Sequence, residues 1–191
     1  FPTRELFLEK IDEFDLIIWD RYKRRGILPA IYYDNVRQYV ENGGAVLIAS
    51  GPEYASAASI YRSPLGSILP GTPTGRVIEG GFVPQITALG ERHPVTEGLR
   101  DYSPVISDDP DAAPWGRWFR LVDIEAPTGE VVMSGMDDRP ALILERVGEG
   151  RVALLASDHI WLWSRGYEGG GPQLELLRRL AHWTMKEPEL E

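Results

Sequence analysis

A chain of 191 residues with 43% hydrophobic content can bury one core, and its net charge of −9 opposes the phosphate neutralisation on which nucleic-acid binding rests. The absence of cysteine excludes disulfides, thiolate nucleophiles and zinc–thiolate sites. No apolar run approaches the roughly 18 residues of a membrane span, so direct membrane insertion of this segment is not expected.

Taken in order, Thr3 is placed to cap a short helix through Leu6, Phe7 and Lys10. Asp15-Leu-Ile-Ile-Trp-Asp20 is a short apolar run between acids, the pattern of a buried parallel strand. Arg21-Tyr-Lys-Arg-Arg25 is the one basic cluster and reads as a solvated turn after that strand. Pro29 suits the first turn of a helix whose Tyr32, Val36, Tyr39 and Val40 share a face, and Asn42-Gly43-Gly44 ends it. Ala45-Val-Leu-Ile-Ala-Ser50 is a second buried strand, broken by Gly51-Pro52. Strand, helix and strand in this order make a parallel crossover unit.

Proline and glycine recur from Pro64 to Pro84, leaving only Gly75–Glu79 as a strand there. His93-Pro-Val-Thr-Glu-Gly-Leu99 is a turn-rich link. Ser107-Asp-Asp-Pro-Asp111 reads as an exposed acidic loop, because it lacks the glycine and distant glutamate of a calcium loop. The three histidines, His93, His159 and His182, have no ligand-like spacing, so neither a metal nor another cofactor is expected.

The last third is strand-rich: Trp118–Asp123, Glu130–Ser134, Ala141–Val147 and Arg151–Ser157. Gly148-Glu-Gly150 joins the last two as an antiparallel hairpin. A final helix begins at Pro172 and is expected to bury Leu174, Leu177, Leu180, Ala181 and either Trp183 or Thr184. The order of elements predicts a single α/β domain. The chain opens at Phe1-Pro2 and closes in a charged tail, and it reads as a piece of a longer protein.

Four segments carry a family resemblance. They are Asp15–Asp20, then Tyr39-Val-Glu-Asn-Gly-Gly-Ala-Val-Leu-Ile-Ala-Ser-Gly51, then His93–Leu99, then Gly148-Glu-Gly-Arg-Val-Ala-Leu-Leu-Ala-Ser-Asp-His159 with Trp161 and Trp163. In this order they resemble the class I glutamine amidotransferase-like domains, of the kind found in large bacterial membrane-anchored proteins of unassigned function. The resemblance implies a three-layer, flavodoxin-like, mostly parallel sheet with the antiparallel C-terminal hairpin. The family's opening strand has no counterpart here, so Leu16–Trp19 is expected to lie at an open sheet edge, or to be paired by a later segment or another copy of the chain.

Active members of that family place a cysteine on the sharp turn after the strand ending here near Ala49-Ser50-Gly51, and a histidine after a late strand with a glutamate two residues on. Ala49 or Ser50 occupies the elbow in this chain, His159 follows the late strand, and Trp161 stands where the glutamate would be. Glutamine hydrolysis through a thioester is therefore excluded. One alternative is a serine hydrolase in which Ser50 attacks, His159 is the base and Glu53 or Asp158 orients the imidazole. Against it, Ser50 merely caps a turn and His159 packs beside tryptophans. Trp115, Trp118, Trp161, Trp163 and Tyr167 read either as core packing or as a docking face. Gly166 and Gly169 to Gly171 read as a mobile loop, with Gly170 and Gly171 ahead of a helix N-terminus that could hold an anion.

The sequence thus leads to an inactive amidotransferase-like module, working by interaction or regulation as a soluble domain of a membrane-anchored bacterial protein. Its expected partners are other domains of the parent or a second protein, with self-association through the Leu16–Trp19 edge as a further expectation. A Ser50–His159 hydrolase and a small-ligand sensor in the same crevice, which Gly51 would line, stay open as alternatives.

Overall fold

The computed structural model describes residues 2–102 and 112–187. The acidic stretch 107–111 lies outside the described residues. Eight strands and three α-helices are described: β1 Ile17–Asp20, α1 Ala30–Glu41, β2 Ala45–Ala49, β3 Thr72–Phe82, β4 Gln85–Ile86, β5 Trp118–Glu125, β6 Glu130–Ser134, β7 Pro140–Val147, β8 Gly150–Leu155, α2 Ile160–Ser164 and α3 Gln173–Thr184.

Six strands form one sheet in the order β1-β2-β8-β7-β6-β4. β1, β2 and β8 are a continuous parallel block, and β8, β7, β6 and β4 then alternate in direction. β1, β2, β6 and β8 therefore run one way, and β4 and β7 the other. The Gly148-Glu149-Gly150 turn makes the β7–β8 hairpin as the sequence predicts, with Val147 paired to Gly150. β3 and β5 pair only with each other, as a second antiparallel sheet that the sequence reading did not anticipate. It is tied to the main sheet where the Val122 amide donates to the Ala156 carbonyl at 2.8 Å.

Val46, Leu47 and Ile48 of β2 and every residue of β8 are buried, so both faces of these central strands are covered. α1 and α3 each pack on β2 and β8 and supply that cover. α1 buries Tyr33, Val36, Tyr39 and Val40, with Tyr32 half-buried against Phe7. α3 buries Leu176, Leu180, Trp183 and Thr184. Leu174, expected in the core, is instead 81% exposed, and Leu177 and Ala181 are half-buried. Leu176 and Leu177 are adjacent, and the stripe that reaches the sheet runs through 176, 180 and 183, one position round from the expected one.

The N-terminal segment also departs from expectation. Thr3 does not cap it: the helical cap is Arg4, no side chain bonds to it, and Glu5–Glu9 forms a wide π turn. Stacking of Phe7 on Trp19 and Tyr32, at 6.0 and 5.6 Å between centroids, holds it in place. Among the described residues β1 pairs with β2 alone, so Ile17–Trp19 lie on an open sheet edge.

Candidate functional site: the crevice at the strand ends

In open α/β sheets, ligands bind outside the carboxyl ends of the parallel strands. Here Asp20, Ala49 and Leu155 stand side by side in the register of β1, β2 and β8. The residues that follow, Arg21, Ser50-Gly51 and Asp158-His159, are thereby brought together. β5 adds a fourth wall, since its Arg120 carbonyl accepts the Ser157 hydroxyl at 2.7 Å.

Charges fill this space. Arg120 forks onto Asp158 with Nε–Oδ1 at 2.8 Å and Nη2–Oδ2 at 2.5 Å. Arg21 Nε lies 3.4 Å from the same carboxylate, and its Nη2 donates to Glu53 Oε1 at 3.0 Å. Burial on its own pushes the Asp158 carboxyl upward, but the Arg120 hydrogen bonds and the charges of Arg120 and Arg21 outweigh it, and the net shift is downward. Asp158 is held as a carboxylate. Glu53 lies on the 3₁₀ turn Pro52–Ala55, and its Oε2 is buried with no hydrogen-bond partner among the described residues.

Gly51 is required by proximity. A Cβ there would fall 2.8 Å from Glu53 Oε2 and 3.1 Å from Arg21 Nε. Its φ of −128° needs no glycine, so the close passage of the ion pairs explains the residue. The strained backbone position is Arg21, at φ 46°. Neither Ala49 nor Ser50 has positive φ, and a 3₁₀ turn rather than an α-helix follows β2. A nucleophile elbow needs that strain and that helix to project its side chain past backbone donors.

Ser50 is 2% exposed, and both its amide and its hydroxyl donate to the Leu155 carbonyl, at 3.0 and 2.6 Å. His159 faces another way: its Nδ1 accepts the Phe119 amide at 2.9 Å, which leaves the proton of the neutral ring on Nε2. Burial lowers the His159 pKa. No hydrogen bond joins Ser50 to His159 among the described residues. Glu53 and Asp158 spend their carboxylates on Arg21 and Arg120, not on the imidazole. The cavity bordered by Ser50, Gly51, Glu53, Arg21 and Trp19 measures about 10 Å³. That is room for roughly one water molecule.

The aromatic residues divide. Trp115, Trp118 and Trp163 are buried and packed ring to ring at 4.8–5.2 Å for the pairs with Trp163. Trp163 Nε1 donates to the Gly116 carbonyl at 2.8 Å. Gly170 and Gly171 close over Trp163, where a Cβ on Gly171 would collide with the indole. Their conformations serve packing. Trp161 and Tyr167 are exposed, and Tyr167 sits edge-on to Phe119 at 5.7 Å.

Arg21 and Arg120, the two cations that organise the crevice, are not among the site residues expected from the sequence. A signal existed for Arg120: a cation inside the apolar run Trp118-Phe-Arg-Leu-Val122 implies a buried acid partner. Arg21 reads in sequence as the start of a solvated turn, and its role depends on Glu53 and on Asp158, which lies beyond the end of β8.

No family model matches the chain, and no curated protein does. Solved structures do. A cytoplasmic protein from Salmonella typhimurium superposes with a TM-score of 0.69 at 17% identity, over 96% of this chain and 76% of that one. A ThuA-like protein from Bacteroides uniformis gives 0.61 at 18% identity, over 99% and 78%. A β-galactosidase from Rahnella sp. R3 gives 0.56 at 15% identity, over 95% of this chain but only 24% of that one. At these identities the likenesses show the fold, a mixed α/β architecture that occurs both as most of a protein and as about a quarter of a larger enzyme.

Proposed function

We propose that this chain is a non-catalytic member of the class I glutamine amidotransferase-like, flavodoxin-like domains, without the family's opening strand, and that it acts by docking. What carries the reading is the occupied crevice. Arg21, Glu53, Arg120 and Asp158 neutralise one another where a substrate would sit, and Ser50 is turned onto the Leu155 carbonyl. The ThuA-like neighbour supports the fold assignment, and the β-galactosidase neighbour supports a role as one part of a larger protein. In this reading the segment belongs to a membrane-anchored bacterial protein. No described helix is long and apolar enough to cross a membrane, so the anchor would lie in another part of that protein.

The test is turnover of glutamine, short-chain aryl esters and aryl amides by the wild-type chain and by Ser50→Ala. The expected result is no hydrolysis beyond the background of either protein. Hydrolysis by wild type that disappears in Ser50→Ala and in His159→Ala would establish the serine-hydrolase alternative and overturn the proposal.

A further inference from the structure

The β1 edge carries three independent marks of an interface. The first is its unused hydrogen bonds. The Arg21 amide donates to the Ala49 carbonyl at 2.8 Å, so alternation turns the polar groups of Ile17 and Trp19 toward β2 and those of Ile18 and Asp20 outward. An open edge of this kind is a template for another strand. The second is apolar surface: Phe14, Ile18 and Ile27 are all exposed, Ile18 by 56% and Ile27 by 72%.

The third is charge. At the carboxyl end of β1 a hollow of about 520 Å³ is lined by Arg21, Lys23 and Arg25 together with Phe7, Ile27 and Leu28, with Asp20 as its one acid. At the amino end a hollow of about 750 Å³ is lined by Asp12, Asp15 and Glu187. One end of the strand is basic and the other acidic, although the chain as a whole carries −9.

We infer that β1 pairs antiparallel with β1 of a second copy of this chain, across a two-fold axis at Ile18. A two-fold interface must be self-complementary, and a strand acidic at one end and basic at the other meets that condition only when reversed against itself. In this register the outward amide and carbonyl of Ile18 bond reciprocally to those of its counterpart. The acidic amino end of each strand, with Asp12 and Asp15, then faces the basic carboxyl end of the other, with Lys23 and Arg25. Ile18 and the flanking Phe14 are covered in the same step. A partner strand of uniform charge would match one hollow and be repelled by the other. The inference names a partner for the docking reading and rests on it. It stays separable, because a chain that hydrolyses esters and still dimerises would overturn the first and leave the second standing.

Sedimentation velocity across micromolar concentrations tests it. The wild-type chain is expected to dimerise, more weakly as salt rises. Ile18→Lys, a charge on the edge, should raise the dissociation constant by about tenfold or more, with circular dichroism confirming an unchanged fold. Asp15→Lys alone should weaken the dimer, and Asp15→Lys combined with Lys23→Glu should restore it. This rescue depends on the reversed arrangement of the two strands and not on overall stability. A wild type that stays monomeric, or a dimer indifferent to Ile18→Lys and to the charge exchange, would overturn the inference.

Discussion

The Ser50 hydroxyl donates to the Leu155 carbonyl at 2.6 Å, alongside the Ser50 amide at 3.0 Å. One carbonyl at the end of β8 thus takes two hydrogen bonds from the residue that ends β2. The hydroxyl is a fastening between parallel strands. Ser50→Ala leaves the carbonyl its amide partner, so the loss should be that of one ordinary hydrogen bond, about 0.5–1.5 kcal/mol. Urea denaturation should give a lower midpoint with an unchanged slope.

Asp158 fastens the second sheet to the first through Arg120. Asp158→Asn removes a buried charge from between two arginines. Breaking a buried pair from one side costs about 3–5 kcal/mol in general. Arg120 and Arg21 are 30% and 48% exposed, so solvent relieves part of this and about 1–3 kcal/mol is expected here. The pH dependence follows in sign. The folded pKa of Asp158 is depressed, so its contribution is fully present above about pH 4 and is lost as pH falls through the lower folded value. His93 and His159, both lowered chiefly by burial, act earlier: their contribution is full above about pH 6.5 and is lost as pH falls toward their folded values. Stability measured from pH 8 to 3 should fall in these two windows, and Asp158→Asn should lessen the more acidic fall, which Glu168 and Glu175, both held at about 2 by arginines, share.

The face that α3 turns to the sheet is tested by two leucines. Leu180 is fully buried and Leu174 is 81% exposed. Leu180→Ala should cost about 2–5 kcal/mol, and Leu174→Ala less than about 0.5 kcal/mol. Equal effects on the denaturation midpoint would show that the helix packs through a different stripe.

The parallel core was legible because its signals are local. Leu16–Trp19 and Ala45–Ala49 are apolar runs bounded by acids and glycine, and Gly148-Glu149-Gly150 has the residues a tight hairpin needs. The open edge at β1 is one of the three outcomes that the family resemblance implied for Leu16–Trp19. Strands at Gly75–Glu79 and Trp118–Asp123 were legible, but their pairing into a separate β3–β5 sheet was not. β3 contains Pro73, Gly75, Gly80 and Gly81, which blur strand periodicity, and its partner lies some forty residues on. The site was half legible: Ser50, Glu53, Asp158 and His159 all border the crevice, yet their hydrogen bonds run to Leu155, Arg21, Arg120 and Phe119 instead of to one another. Residue type and spacing locate a side chain at the end of a strand, but the direction of its hydrogen bonds depends on partners distant in sequence. Leu174 was misplaced for a simpler reason, since adjacent Leu176 and Leu177 allow two stripes on the same helix.

Reactivity of Ser50 is the most direct measure of whether the crevice is closed. A serine-directed fluorophosphonate forms a covalent adduct only with a hydroxyl that is exposed and activated by a base, and Ser50 is 2% exposed with its proton committed to the Leu155 carbonyl. Intact mass spectrometry of the wild-type chain after prolonged incubation should show the unmodified mass alone. A stoichiometric adduct that peptide mapping places on Ser50, and that is absent from His159→Ala, would contradict the account.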